Sequence, residues 1–110
     1  MADSSEYLSD FSLVIPAFRG SAFVRAASGL ANPKGFVTVS PQLASMKFPN
    51  IYAAGVAVAT APPKPTPIPV AVPKTGHMTE LMARAAARNI AAELRGGTKV
   101  DGLTRPSTCI

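Results

Sequence analysis

The sequence holds one cysteine, one histidine and no tryptophan in 110 residues. A lone Cys109 excludes an internal disulfide, a CxxC redox pair and a cysteine zinc site. It suits a reducing compartment. No apolar run approaches the ~20 residues that a membrane-spanning helix requires. The first residues, Met-Ala-Asp-Ser-Ser-Glu, are acidic rather than basic and then apolar, so they do not read as a secretory signal. The expectation is a cytoplasmic chain, or one peripheral to a membrane as part of a larger parent. Glycine-rich phosphate loops are also missing, because Gly20, Gly29 and Gly35 stand too far apart for a Gly-x-Gly-x-x-Gly cradle.

Aromatic residues make up only 6% of the chain, which leaves few platforms on which bases could stack. The net charge is +5, but the basic residues are scattered from Arg19 to Arg105 without a run, as on a solvated surface. No nucleic-acid partner is expected. His77 and Cys109 have no base, nucleophile or orienting group placed beside them in the sequence. Neither is expected to be catalytic, and no metal site is expected.

What is present is a hydrophobic fraction of 47%, built from Val, Ile, Leu, Met and many alanines, in a chain long enough for one small domain. Residues 1–10 read as a flexible lead-in. Phe11-Ser-Leu-Val-Ile15 is rich in β-formers and halted by Pro16, which predicts a strand. Ser21 is placed to cap a short helical turn ending at Gly29. Asn32-Pro33-Lys34-Gly35 is a turn in which Pro fixes φ and Gly accepts a positive φ, and a hairpin or strand entry is expected after it. Residues 36–40 predict a second strand. Gln42 to Phe48 reads as a surface connection.

Residues 51–58 are nearly all apolar, the pattern of a third strand covered on both faces. From 61 to 73 six prolines in thirteen residues form a stiff connector that cannot join a central sheet. Met78, Leu81, Met82, Ala85, Ala86, Asn89, Ile90 and Leu94 then recur at three- and four-residue steps. That periodicity predicts one long helix over 76–95, with Thr75 as N-cap, a Glu80–Arg84 pair and Gly96-Gly97 as the stop. Residues 98–110 read as a polar tail. The fold class is α/β: a small sheet of three to four strands, a proline-rich connector and one long C-terminal helix. A strand ending at a glycine, with a helix N-terminus returned nearby, suits an anionic or polarised ligand group.

Ile51-Tyr52-Ala53-Ala54-Gly55 resembles the last FAD-binding motif of the two-dinucleotide-binding-domain flavoproteins. The longer string Gly55-Val56-Ala57-Val58-Ala59, Pro62-Pro63, Thr66-Pro67-Ile68-Pro69-Val70, Val72-Pro73-Lys74-Thr75-Gly76, then Glu80, Ala87, Asn89 and Ile90, is similar to sulfide:quinone oxidoreductases and related flavin-dependent sulfide dehydrogenases. The stretches 11–20 and 29–39 look like those that precede the motif in that family. The resemblance covers residues 10 to 95 and implies that 11–97 is a partial FAD-binding domain.

Gly55 and Val56 would then line the flavin. Lys74, Thr75 and Gly76 would face its ring edge or the quinone pocket, with the helix amides and dipole favouring reduced, anionic flavin. His77 stands where the family commonly has an aromatic residue. Two departures are visible: Val56 replaces the acid that meets the ribityl chain, and Ala57 stands where many members carry a redox cysteine. The resemblance implies FAD, sulfide and quinone for an intact parent, whereas this chain alone is expected neither to bind FAD nor to catalyse. Two alternatives stay open. One is a non-enzymatic protein-binding module that uses the proline-rich segment, and the other is a fragment of an NAD(P)H:quinone oxidoreductase. A domain cut from a larger one would also expose apolar surface and self-associate.

Overall fold

The structure is a computed structural model that describes residue 6 and residues 8–16, 18–60 and 75–104. The proline-rich connector 61–73, Lys74 and Cys109 lie outside the described residues.

Ser21 opens helix α1 (Ala22–Ala26) in an extended conformation, and the Arg25 amide donates to the Ser21 carbonyl at 3.1 Å. With only five residues, α1 is held by burying Val24 rather than by its own length. The turn at Asn32 is fixed locally. Its Oδ1 accepts from the amides of Lys34 and Phe36, both at 3.0 Å, while Gly35 takes φ +87°. The chain reverses there and pairs Ala31 antiparallel to Val37.

Residues 31–59 fold into a knot of short pairings. Val37 bridges to Val58 in parallel, and its amide and carbonyl reach Ala57 and Ala59 at 2.8 Å each. Val39 bridges to Ser45, and Ala44 to Tyr52, both antiparallel. The expected strand 36–40 thus contributes three isolated bridges, through Val37 and Val39. The expected strand 51–58 contributes Tyr52 and Val58, with a 3₁₀ turn, Gly55–Ala57, between them. Phe11–Ile15, expected as the first strand, carries no assigned element and no backbone hydrogen bond among the described residues. A strand needs a neighbour to satisfy its amides and carbonyls, and none among the described residues bonds to this one.

Gln42–Phe48 is not a surface connection. Leu43 takes a left-handed φ of 69°, its side chain is 0% exposed, and Ser45 is buried beside it. Ser45 Oγ in turn accepts from the amides of Lys47 and Phe48, so its own hydroxyl closes the loop.

Helix α2 (Gly76–Arg95) lies across this knot. Met82, Ala85 and Ala86 meet Val37, Val39, Leu43 and Val58 in one core. Alanines at 85 and 86 allow the close backbone approach that larger side chains would prevent. Thr75 Oγ1 accepts from the Met78 amide at 3.3 Å, and Gly96 at φ 73° ends the helix while Gly97 donates back to the Ala92 carbonyl. Glu80 and Arg84 form an exposed pair at 2.7 Å. The apolar stripe is buried only along its middle. Leu94 is 81% exposed and Ile90 is also largely open to solvent.

The tail is docked as far as residue 103. Asn89, fully buried, donates to the carbonyls of Gln42 and Val100 at 2.8 Å each and accepts from the Val100 amide at 2.7 Å. The Gly102 amide donates to Pro41, and a Cβ at 102 would lie 2.4 Å from Leu43. Leu103 packs on the core, and Asp101 Oδ1 holds the following turn through the amides of Leu103 and Thr104.

Candidate functional site

The five residues singled out from the sequence divide into the turn after Ala54 and a helix start. Ala54 is extended, with φ −140° and ψ 159°, and Gly55 then turns to φ +62° and opens the 3₁₀ turn. Only glycine adopts that φ at low cost. It also has to be glycine because of space: a Cβ there would stand 2.5 Å from Thr79 Cγ2. The bare face of Gly55 is therefore where the first turns of α2 rest against the 3₁₀ turn. Val56, the next residue, is 56% exposed, so its side chain points away from the core.

On the helix side, Thr75 and Gly76 are exposed, and nothing lies within 4 Å of where a Gly76 Cβ would be. Thr75 caps the Met78 amide through its hydroxyl and the Thr79 amide through its carbonyl. The amides of Gly76 and His77 are left without an intrahelical partner. The first turn has no acidic residue to offset the positive end of the helix dipole. Thr60 Oγ1, two residues beyond Val58, is screened from solvent without a hydrogen-bond partner. The strand-end turn Gly55–Val56 and the helix start Thr75–Gly76 are brought together, joined by the Gly55–Thr79 contact, while Lys74 lies outside the described residues. His77 is exposed.

These donors suit the edge of a flat, electron-accepting ring that carries carbonyl or anionic groups, as in a flavin. They do not suit a pyrophosphate, for which the described residues supply no glycine-rich loop. No group of three or more metal-ligating side chains occurs among the described residues. No helix of the described residues is long and apolar enough to cross a membrane.

A second feature lies at the other end of α2, about 25 Å away along the helix axis. Asn50, Tyr52, Ile90, Glu93 and Leu94 line an open depression of about 310 Å³. The Tyr52 hydroxyl donates to Glu93 Oε2, and Lys99 Nζ reaches the same oxygen at 2.9 Å while lying 5.8 Å from the Tyr52 ring. The hydrogen bond from Tyr52, followed by that from Lys99, lowers the Glu93 pKa. The bond to Glu93 chiefly raises that of Lys99. This cluster ties the helix end to residue 52 and to the tail. Sequence reasoning did not find it, because its three members are 41 and 6 residues apart and acquire meaning only when the helix is docked.

No family model matches the sequence. The chain is 38% identical over 95 residues to the sulfide-quinone reductase of Aquifex aeolicus (strain VF5), a match that takes in 84% of this chain and 22% of that protein. The crystal structure of the sulfide:quinone oxidoreductase from Aquifex aeolicus matches with a TM-score of 0.66 and 40% identity, covering 74% of this chain and 20% of that one. The chain therefore spans about a fifth of the length of these relatives.

Proposed function

Because sequence and structure both identify sulfide:quinone oxidoreductase over part of this chain, we propose that the chain is the flavin-edge portion of such a flavoprotein's FAD domain. Its complete form would carry two electrons from sulfide through FAD to a quinone at a membrane surface. In this proposal the pairings of residues 31–59 are part of a larger α/β sheet, Gly55 and Val56 lie beneath the flavin, and Lys74, Thr75 and Gly76 meet its ring edge. The observation that carries it is the α2 N-terminus, whose Gly76 and His77 amides lack an intrahelical partner and whose first turn holds no acidic residue, fixed against the Gly55 turn.

A bound flavin would supply two-electron redox chemistry between a sulfur donor and a quinone, and Gly55, Val56, Lys74, Thr75 and Gly76 are the residues that would hold its ring. The residues of this chain contribute position and field. Thr75 holds the first turn open by capping Met78 rather than Gly76 or His77. The helix dipole then favours negative charge at its N-terminus, by about 0.3–1 kcal/mol at an exposed end. Gly55 sets the distance between that end and the strand. Val56 supplies no carboxylate to a ribityl chain, and Ala57 supplies no thiol to a sulfur-transfer step, so neither is assigned a chemical role. A parent that oxidises NAD(P)H instead of sulfide is the rival within the same superfamily. A complete protein containing this sequence decides between them by whether sulfide or NADH drives quinone reduction.

The chain itself is tested with riboflavin, which carries the ring and lacks the phosphates. Titration into the ¹⁵N-labelled chain is expected to shift the amides of Val56, Ala57, Gly76 and His77 at millimolar ligand. Purified protein is expected to show no stoichiometric flavin absorbance. Shifts elsewhere with those four amides unmoved would overturn the ring-edge assignment. A yellow, stoichiometric complex would show that a glycine-rich phosphate loop is dispensable for binding.

A further inference from the structure

Asp101 is the one acidic residue in the sequence that is followed by glycine, and no Asn-Gly step occurs. An aspartyl carboxyl beside a glycine amide is open to ring closure, because glycine has no Cβ to shield its nitrogen or to restrict the backbone rotations that closure needs. In the folded chain this reactive pair sits where the tail is seated on the core. Asp101 is exposed, whereas Gly102 is buried.

We propose that Asp101 is a site of isoaspartate formation gated by the docking of residues 100–103, held off while they are seated and preventing their return once it has occurred. The Gly102 amide nitrogen attacks the carboxyl carbon of Asp101. A C–N bond forms, and the amide proton leaves with the carboxyl hydroxyl as water, giving a five-membered succinimide. Water then re-enters at one of the two ring carbonyls. Opening at the former side-chain carbonyl restores aspartate, and opening at the main-chain carbonyl gives isoaspartate. The step consumes no reagent other than water and is neither an oxidation nor a reduction.

Docking restrains both reacting groups. The Gly102 amide donates to the Pro41 carbonyl at 2.8 Å, so the nitrogen that must attack is tied to a distant residue rather than turned onto its neighbour. Asp101 Oδ1 accepts from the amides of Leu103 and Thr104 at 2.8 and 3.0 Å, which aims the carboxyl along the following turn. Ring closure also needs rotation about the Asp101 Cα–C bond. Asn89 holds the amide and the carbonyl of Val100 on one side of that bond, and Leu103 packs on the core on the other. The reaction therefore proceeds through local opening of the tail, and its rate follows the population of the open form.

The product does not fit the seat that the tail has left. Isoaspartate routes the main chain through the former side chain, which inserts an extra carbon before Gly102 and frees a carboxylate. No slack exists there, since even a Cβ at 102 would lie 2.4 Å from Leu43 Cδ1 and 3.1 Å from Ala85 Cβ. The oxygen that Leu103 and Thr104 share becomes a main-chain carbonyl whose direction is no longer set by a side-chain rotation. None of these residues belongs to the flavin edge, so the proposal stands apart from that assignment.

The 110-residue chain is aged at pH 6 and 37 °C with and without an unfolding concentration of guanidinium chloride, and isoaspartate is located by electron-transfer mass spectrometry. Residue 101 is expected to isomerise at least about tenfold more slowly in the folded chain. Leu103→Ala loosens the tail while leaving the middle of the core in place, and is expected to raise the rate at least about threefold with unchanged helical signal at 222 nm. Asn89→Ala is expected to raise it further. The purified isoaspartyl chain is expected to lose hydrogen-exchange protection at the amides of Val100 and Gly102. Isomerisation as fast in the folded chain as in the unfolded one, or faster, would mean that the bonds to Oδ1 activate the carboxyl instead of restraining it, and overturns the proposal. A rate unmoved by both Leu103→Ala and Asn89→Ala, or an isoaspartyl chain that keeps both amides protected, overturns it as well.

Discussion

Residues 11–15 and residues 37–39 are both short runs of β-formers stopped by a proline, yet Ile15 is 82% exposed while Val37 is 3% exposed. The difference is not hydrophobicity. Val37 exchanges hydrogen bonds with Ala57 and Ala59 and has α2 lying over it, whereas Phe11–Ile15 has no backbone hydrogen bond among the described residues. A helix satisfies its own backbone and can be stable wherever one face is covered, but a strand is defined by its neighbour. The covered region accordingly holds the structure together, and the bare segment is free to be altered or paired without cost to it.

The largest effect that separates the two regions is expected at Asn89. Asn89→Ala removes three hydrogen bonds and leaves the carbonyls of Gln42 and Val100 and the Val100 amide without their partner. Each such buried group costs about 1–3 kcal/mol, so a loss of about 3 kcal/mol is expected in urea unfolding followed at 222 nm. Ile15→Asn is expected to change the same quantity by less than ~0.5 kcal/mol, as for other exposed positions. Comparable losses at both sites would mean that the bare segment is packed in the folded state.

Gly55→Ala is expected to come next, and it tests whether the strand end and the helix start are locked together. The substitution forces a φ of +62° on a side chain, at roughly 1–2 kcal/mol, and drives its Cβ against Thr79. A total near 2–3 kcal/mol is expected, most of it strain with partial relief of the clash. Thr79→Ala in the same chain should restore the part due to Cγ2 and Oγ1 and leave the backbone part. If the double variant is no more stable than Gly55→Ala, the helix start does not rest on Gly55.

How much of this was legible in advance follows the same division between local and long-range causes. Thr75 and Gly96 could be named as caps because capping chemistry is contained within four residues, and the Asn32 turn was readable for the same reason. The nearness of the Gly55 turn to the α2 start was suggested by resemblance and is realised in the Thr79 contact. The burial of Leu43 was not legible. A lone leucine between Gln42 and Ala44 has no periodicity, and its inward aim depends on a left-handed φ and on Gly102 arriving from the far end of the chain.

Asn89 did carry a signal. An amide in the middle of an apolar stripe must have buried partners, but its sequence position could not say that Gln42 and Val100 supply them. The exposure of Leu94 was hidden for the opposite reason, since periodicity shows which face is apolar and not whether anything covers it.

Thr75→Ala is expected to cost about 1 kcal/mol by leaving the Met78 amide uncapped. It adds that amide to the unpartnered amides of Gly76 and His77. A measured change below ~0.3 kcal/mol would show that solvent replaces the hydroxyl at no cost. Thr75→Ser keeps the oxygen and should recover most of the loss, which separates capping from a packing role of the Thr75 methyl.

The smallest effect belongs to the exposed cluster at the far end of α2. Hydrogen bonds from Tyr52 and then Lys99 hold the Glu93 carboxylate below its ordinary pKa of 4.5. A depressed carboxylate stabilises the fold above the unfolded-state pKa and loses that contribution as pH falls through the folded value, so its effect is confined to acid below about 4.5. Lys99, raised above 10.5, contributes fully below 10.5 and loses its contribution as pH rises beyond that. Between these limits neither group makes stability depend on pH. Tyr52→Phe removes the bond that contributes most to the Glu93 shift, and the carboxyl ¹³C titration of Glu93 should then move back toward 4.5, while Lys99→Met should move it less. If Lys99→Met produced the larger return, the cluster would be an ion pair with the tyrosine alongside. The expected order identifies it as a carboxylate held by a phenol, a contact that exists only because α2 is docked beside Tyr52.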